Sequence, residues 1–444
     1  MKPNNPDKTS LASAFLLLLF AAGLGLAMLL VKARSAIQLS EPILLPGEGL
    51  SVVLPVGPGW KTLTEWTYEQ DNSFALVATY SMRSGPPEEV RWQYKLTEPP
   101  LSPQAFLERI ARQFSGPVST IRTFEGPLTF AQIQLFSRAE GEQILLAAAV
   151  PQEGRILLLQ LKSYSEHYDL PALFEQLAAR VQFRPDPRRQ VGRQLFEDLT
   201  SRLYPQWLDN LHQRAEIFLL SPVSGRPIGY SKTTAVKSEK DLAAAFEQEQ
   251  VFRQNDFPQS LSRFESAQNL SEFLWTTARQ TRRGPLQTQV RRLSDGSMQI
   301  EDSYRRQTVC WPAKEAVPEI LLPLAARAML NADESEAVLD VIASFGQVVP
   351  VLISRSEPKN KTNLPEQTEY AVKVQFLHHP DNYEEYYFDT EKNLLARLEA
   401  MPGQPARIWK AAGEADLRRF NPSFSKPDQI VLKQCPSEMF ALQR

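Results

Sequence analysis

Residues 368–376 read TEYAVKVQF, and this stretch decides the fold. Thr368, Tyr370, Val372, Val374 and Phe376 alternate with Glu369, Lys373 and Gln375. A period of two is what a half-buried β-strand produces and what a helix does not. Reading outward, residues 385–390 (EYYFDT) and 394–399 (LLARLE) predict a further hairpin, and 215–221 with 228–236 predict two strands joined by PVSGRP. Asp295-Gly296 marks another hairpin, read as a two-residue type I′ turn. That turn pairs Ser294 with Ser297 and sets Val290 opposite Glu301 and Arg291 opposite Ile300. Helical spacing of Leu195, Leu199 and Leu203 predicts a helix over 191–211, and residues 318–330 and 334–345 read as two more. The simplest assembly is an extended antiparallel sheet with helices on one side.

The segment before it follows the same logic. Residues 74–82 (FALVATYSM) and 89–96 (EVRWQYKL) are rich in strand formers, and 129–138, 143–150 and 155–163 read as a meander. Phe106, Leu107, Ile110, Ala111 and Phe114 recur at helical spacing behind Ser102 and Pro103, a cap and a first-turn proline. A second helix follows Asp169, carrying Leu173, Phe174, Leu177 and Val181. Both helices are expected on one face of the sheet. Residues 184–193 (RPDPRRQVGR) form the natural connector, a basic run that could also touch anionic headgroups.

Two resemblances attach to these segments. The opening LPVGPGW (54–60) and closing FEQLAARVQF (174–183), over roughly residues 48–187, resemble the PsbP-like family of small α/β/α domains. That resemblance implies an accessory or scaffold domain without catalysis of its own. SGRPIGYSK (224–232) and YYFDTEKNLLARLE (386–399), over roughly residues 213–400, look like periplasmic antiparallel-sheet proteins of the LolA-like, half-barrel kind. This one implies a concave apolar sheet that holds a lipid or peptide.

Ahead of both domains stands LASAFLLLLFAAGLGLAMLLV (11–31), free of charge, Asn, Gln, His and Pro. As a helix it is about 32 Å long against about 30 Å of bilayer hydrocarbon, and a helix satisfies its own backbone groups in lipid. Leu11, Phe15, Phe20, Gly25 and Val31 mark its course. Lys32 and Arg34 directly after it disfavour cleavage, so the segment is expected to stay as an anchor. Lys2 and Lys8 nearly balance them; the short tail is expected inside, and the bulk facing the periplasm or cell exterior. The expected layout is a tail (1–10), an anchor (11–31), a spacer (32–47), a first α+β domain (48–187) and a second (188–444).

Composition narrows function mainly by exclusion. The net charge of −2 supplies no field for nucleic acid. No G-x-S-x-G, H-E-x-x-H or phosphate-loop motif occurs, and no cofactor is expected. His378-His379 lie near four acidic residues, but neighbours on a strand point to opposite faces, which argues against a shared metal. Cys310 and Cys435 could form one bridge in an oxidising compartment or remain separate thiols. Arg291, Arg292, Arg305 and Arg306 concentrate positive charge on one hairpin, a candidate surface for an anion. The leading expectation is a non-enzymatic envelope protein, a tethered binding or scaffold module. Its partners would be the bilayer and an envelope protein or lipid. A carrier of an apolar ligand, and a hydrolase built from residues distant in sequence, stay open.

Overall fold

The structure is a computed structural model. It describes residues 37–420 except 70–72, 82–87, 97–100, 138–140, 153, 165–168, 223–225, 239–241, 253–259, 282–283, 303–307, 311, 313, 345 and 359–363. The predicted anchor and Cys435 lie outside the described residues. Within them no helix is long and apolar enough to cross a membrane. The chain is α+β and dominated by antiparallel sheet.

The first sheet runs Trp60–Thr62, Ser73–Tyr80, Glu88–Leu96, Arg155–Ser163, Glu142–Gln152, Phe130–Ser137, Arg122–Phe124, with Thr67–Tyr68 also on Ser73–Tyr80. Helix α1 (Pro103–Gln113) starts where its cap predicts: the Ser102 hydroxyl accepts from the Ala105 amide at 3.2 Å. Helix α2 (Leu170–Ala178) is capped likewise by Asp169. The two do not share a face, which corrects the sequence reading. Along Glu142–Gln152, Leu146 and Ala148 pack with Leu107 of α1. Leu145, Ala147 and Ala149 pack with Leu173, Phe174 and Leu177 of α2. This strand is apolar on both faces because each face has its own helix.

The second sheet has fifteen strands laid down in two passes. It starts in the middle at Glu216–Pro222 and steps outward through Gly229–Ala235, Ala244–Phe252, Ser260–Ser266, Phe273–Thr281, Gly284–Arg292 and Met298–Asp302 to Thr308–Cys310. It resumes at the opposite edge with Val317–Pro318, then Glu336–Ile342, Val348–Ser356, Tyr370–Phe376, Tyr383–Phe388 and Leu394–Ala400. The closing strand Arg407–Ala412 pairs with the first. Laid flat, fifteen strands at about 4.8 Å would separate the edges by nearly 70 Å. The seven steps from Cys310 to Val317 span at most about 25 Å. The sheet must therefore curl until its edges meet. Contacts agree: the Arg292 guanidinium reaches the Ala316 carbonyl at 3.5 Å, and a Cβ on Gly346, in the turn between Glu336–Ile342 and Val348–Ser356, would lie 2.6 Å from Ile300 near the opposite edge.

Helices fill what the curl encloses. Residues 187–213 form one rod: α3 (Pro187–Asp198), a π-turn (Leu199–Leu203) and α4 (Tyr204–Gln213). Pro205 has no amide to give the preceding turn, and the wider π-turn absorbs that gap. Leu195, Leu199, Leu203 and Leu208 of the rod join α5 (Leu322–Met329) in one core with inward residues from both halves of the sheet. Phe246, Phe264 and Trp275 come from one pass, and Val351, Val372 and Tyr386 from the other. A short helix, α6 (Glu414–Phe420), covers Ile217 and Tyr230 on the outer face.

Two sequence expectations fail here for identifiable reasons. Residues 336–342 form a strand, not a helix. Six of its seven residues are buried because one face meets the core and the other the first domain, so no two-residue rhythm shows. The Asp295-Gly296 hairpin has a three-residue loop, not two. Leu293 closes it by donating to Ser297 at 2.9 Å, and Gly296 takes φ 83°. The register moves by one, so Val290 faces Ile300 and Arg291 faces Gln299. Gly296→Ala should therefore cost about 1 kcal/mol, read as a lower denaturation midpoint.

The two domains meet through buried charge. Glu48, Tyr94, Gln152 and Arg155 of the first face Arg189 of α3 and Asp340 of the second. Arg155 reaches Asp340 at 2.5 Å, and Arg189 reaches Glu48 at 2.5 Å and Asp340 at 3.2 Å. Tyr94 and Gln152 complete the shell of Glu48 at 3.0 and 3.1 Å. Two carboxylates and two guanidiniums thus compensate one another in a dry contact.

Candidate functional site

The helices do not fill the curled sheet completely. Between α4, α5 and the central strands lies a cavity of about 360 Å³. Strand alternation places its lining. On Glu216–Pro222, Ile217 packs outward under α6, so Glu216 and Phe218 turn inward. Phe246, Phe388, Leu394, Trp409 and, from α4, Trp207 and Leu211 supply apolar surface. Ser231, Thr233, Gln248 and Gln250 add uncharged polar groups.

Four charged residues line the cavity: Arg214, Glu216, Arg327 and Arg397. Their situations differ. Arg397 is fully committed. It pairs with the Glu399 carboxylate and lies 5.3 Å from the centre of the Trp409 ring. Burial opposes its charge, but Glu399 and Glu384 outweigh burial and hold it protonated. Behind it Tyr386 donates to Glu384, and Glu319 accepts from the Ser344 amide at 3.2 Å. Burial and the nearby Glu384 push the Glu319 carboxyl up to about 7.

Glu216 is half-buried, and burial pushes its carboxyl up to about 7 against the opposing pull of Trp207 and Arg327. The side chain of Arg327, on α5, forms no hydrogen bond or ion pair among the described residues. Burial and the positive charge of Arg202 lower its pKa, while Asp389 and Glu216 act on it only from a distance. Arg214 is exposed at the rim. Glu216 is the single acid in the lining, with no histidine or cysteine beside it. The lining thus mixes aromatic and aliphatic surface with uncharged polar groups, an uncommitted Arg327 side chain and one carboxyl that changes charge near neutrality.

The residues singled out in the sequence lie elsewhere. Leu11, Phe15, Phe20, Gly25, Val31, Arg305, Arg306 and Cys435 fall outside the described residues. Cys310 ends the edge strand opposite Met298. Arg291 and Arg292 are neighbours on one strand and face opposite ways; Arg292 is 3 % exposed and so leaves the surface patch. Burial lowers its pKa, with Glu315 acting the other way. His378 and His379 sit in a turn with rings 4.7 Å apart, so strand alternation does not separate them. His378 stacks near Tyr68 of the first domain and belongs to the domain contact. Among the described residues no group of three metal-ligating side chains gathers.

No protein-family model matches this chain, and no curated protein matches it. Among solved structures, a beta-barrel-like protein of the domain of unknown function DUF1849 from Brucella abortus aligns with 45 % of this chain and 95 % of its own. The identity is 9 % and the TM-score 0.33, a likeness too slight to show fold or function here.

Sequence reasoning overlooked Glu216 and Arg327, yet both leave a trace. Glu216 takes an inward position beside Phe218 in AEIFLL, and Arg327 is the lone charge in LPLAARAML. A charge on an inward-facing, half-buried position has to be satisfied or used.

Proposed function

We propose that the chain is a small-molecule binding protein without catalysis of its own. It is held to a membrane by residues 11–31, with its body on the outer side. The cavity beneath α4 and α5 carries this reading. Its 360 Å³ falls within the range of roughly 300–1,000 Å³ typical of small-molecule sites, and it combines aromatic walls with a few placed polar groups. A wide, empty apolar hollow of the half-barrel kind would favour a carrier of two-chain lipids. Here the core helices occupy most of the concave face, which favours a compact ligand.

Full-length protein isolated from its own membranes and examined by native mass spectrometry should carry a small adduct. Ala411→Trp, which puts an indole into the cavity from an accessible position opposite Phe218, should remove the adduct and leave the melting temperature within a few degrees. Wild-type protein found at its bare sequence mass, as Ala411→Trp is at its own, would count against a resident ligand.

A further inference from the structure

We infer that the cavity takes a single-chain organic anion, its acid group on the Arg327 guanidinium and its apolar body among Trp207, Phe246 and Leu394. This rests on the cavity being a binding site and adds the class of ligand.

The charges in the cavity differ in whether another group already answers them. Arg397 has Glu399 and the Trp409 face, and can offer little to a ligand. Arg327 has neither a carboxylate nor a carbonyl in contact among the described residues, although it projects from a helix whose other residues are apolar. Arg327 is half-buried, so its guanidinium is partly desolvated without a partner, and its five fixed N–H donors suit carboxylate or phosphate oxygens. With Arg397 answered by Glu399, Arg214 and Arg327 against Glu216 still leave the lining net positive. The surrounding aromatic and aliphatic side chains then call for an apolar body on the same molecule, too small in total for two acyl chains.

Glu216 opposes an anion only when ionised. The charged groups that face it across the cavity are Arg214 at the rim, Arg327 from α5 and Arg397 from Leu394–Ala400; Asp389 and Arg202 act on Arg327 from outside. With its carboxyl titrating at about 7, Glu216 is neutral at pH 6 and negative at pH 8. Anion affinity should therefore fall as pH rises through 7, and Glu216→Gln should flatten that dependence.

The test is calorimetric titration of the full-length protein with octanoate, octyl phosphate, octanol and octyltrimethylammonium at pH 6 and pH 8. Octanoate or octyl phosphate should bind at least tenfold more tightly than octanol at pH 6, and the stronger of the two identifies the head group. Arg327→Leu should bring the anion down to the affinity of octanol, and Arg327→Lys should restore part of the preference. Equal binding of anion and alcohol in wild type and Arg327→Leu, or a preference for the ammonium, would overturn the anion and leave the cavity as a site. Absence of binding by all four probes would overturn both readings.

Discussion

Asp340→Ala lowers the unfolding free energy by about 3–5 kcal/mol, as expected when one partner of a buried ion network is removed. Asp340 is 3 % exposed and answers both Arg155 and Arg189. Without it two guanidiniums share Glu48 alone in a contact that excludes water. Arg155→Met in the same chain should recover part of the loss, because it removes the stranded cation. The pH dependence has a definite sign. Burial works to raise the Asp340 carboxyl, but Arg155 and Arg189 more than offset it and hold it below its ordinary value of 3.8. Stability from this carboxylate is complete above pH 3.8 and is lost as pH falls below that value towards the folded pKa. Urea denaturation at pH 7 and pH 3 should show a gap between wild type and Asp340→Ala that narrows at the lower pH. An equal gap at both values would mean that the charge of Asp340 contributes nothing.

The second large effect is steric. Gly192 lies on α3 where that helix crosses Glu336–Ile342, and a Cβ there would stand 2.1 Å from the Val338 carbonyl oxygen. Val317–Pro318 pairs only with Val341 and Ile342, so the rest of that strand edge is covered by α3 instead of a neighbouring strand. Gly192→Val must push the helix away from backbone that cannot yield, at a cost of about 3 kcal/mol or more. It also bares a strand edge with free amides and carbonyls, which invites pairing between molecules. A lower denaturation midpoint together with a larger species on size exclusion is expected. A variant that melts as wild type does and stays the same size would show that α3 does not seal this edge.

These two sites show why the sequence could be read only so far. Tyr370–Phe376 was legible because Val372, Val374 and Phe376 meet a core while Lys373 and Gln375 face a wetter layer; only Tyr370, expected inward, turns out exposed, and Ala371 buried. Helices α1, α2 and the 187–213 rod were legible from caps and leucine spacing. Residues 336–342 were not, since burial on both faces erases the rhythm that separates strand from helix. The Asp295-Gly296 register was missed because Asp-Gly also fits a type I turn with a bulge, and only the partner strand decides between them. The curl of the sheet, and with it the cavity, depends on contacts such as that of Ile300 with Gly346, between parts of the chain that lie far apart in the sheet order. Glu216 and Arg327 are more than a hundred residues apart, and only that curl makes them line one chamber.

The most direct test of the ligand site is a structure of the protein determined with octanoate. Density is expected inside the cavity near Trp207, with the carboxylate within hydrogen-bond distance of Arg327. Octanoate bound on the outer face or in the first domain, with the cavity holding only water, would contradict it.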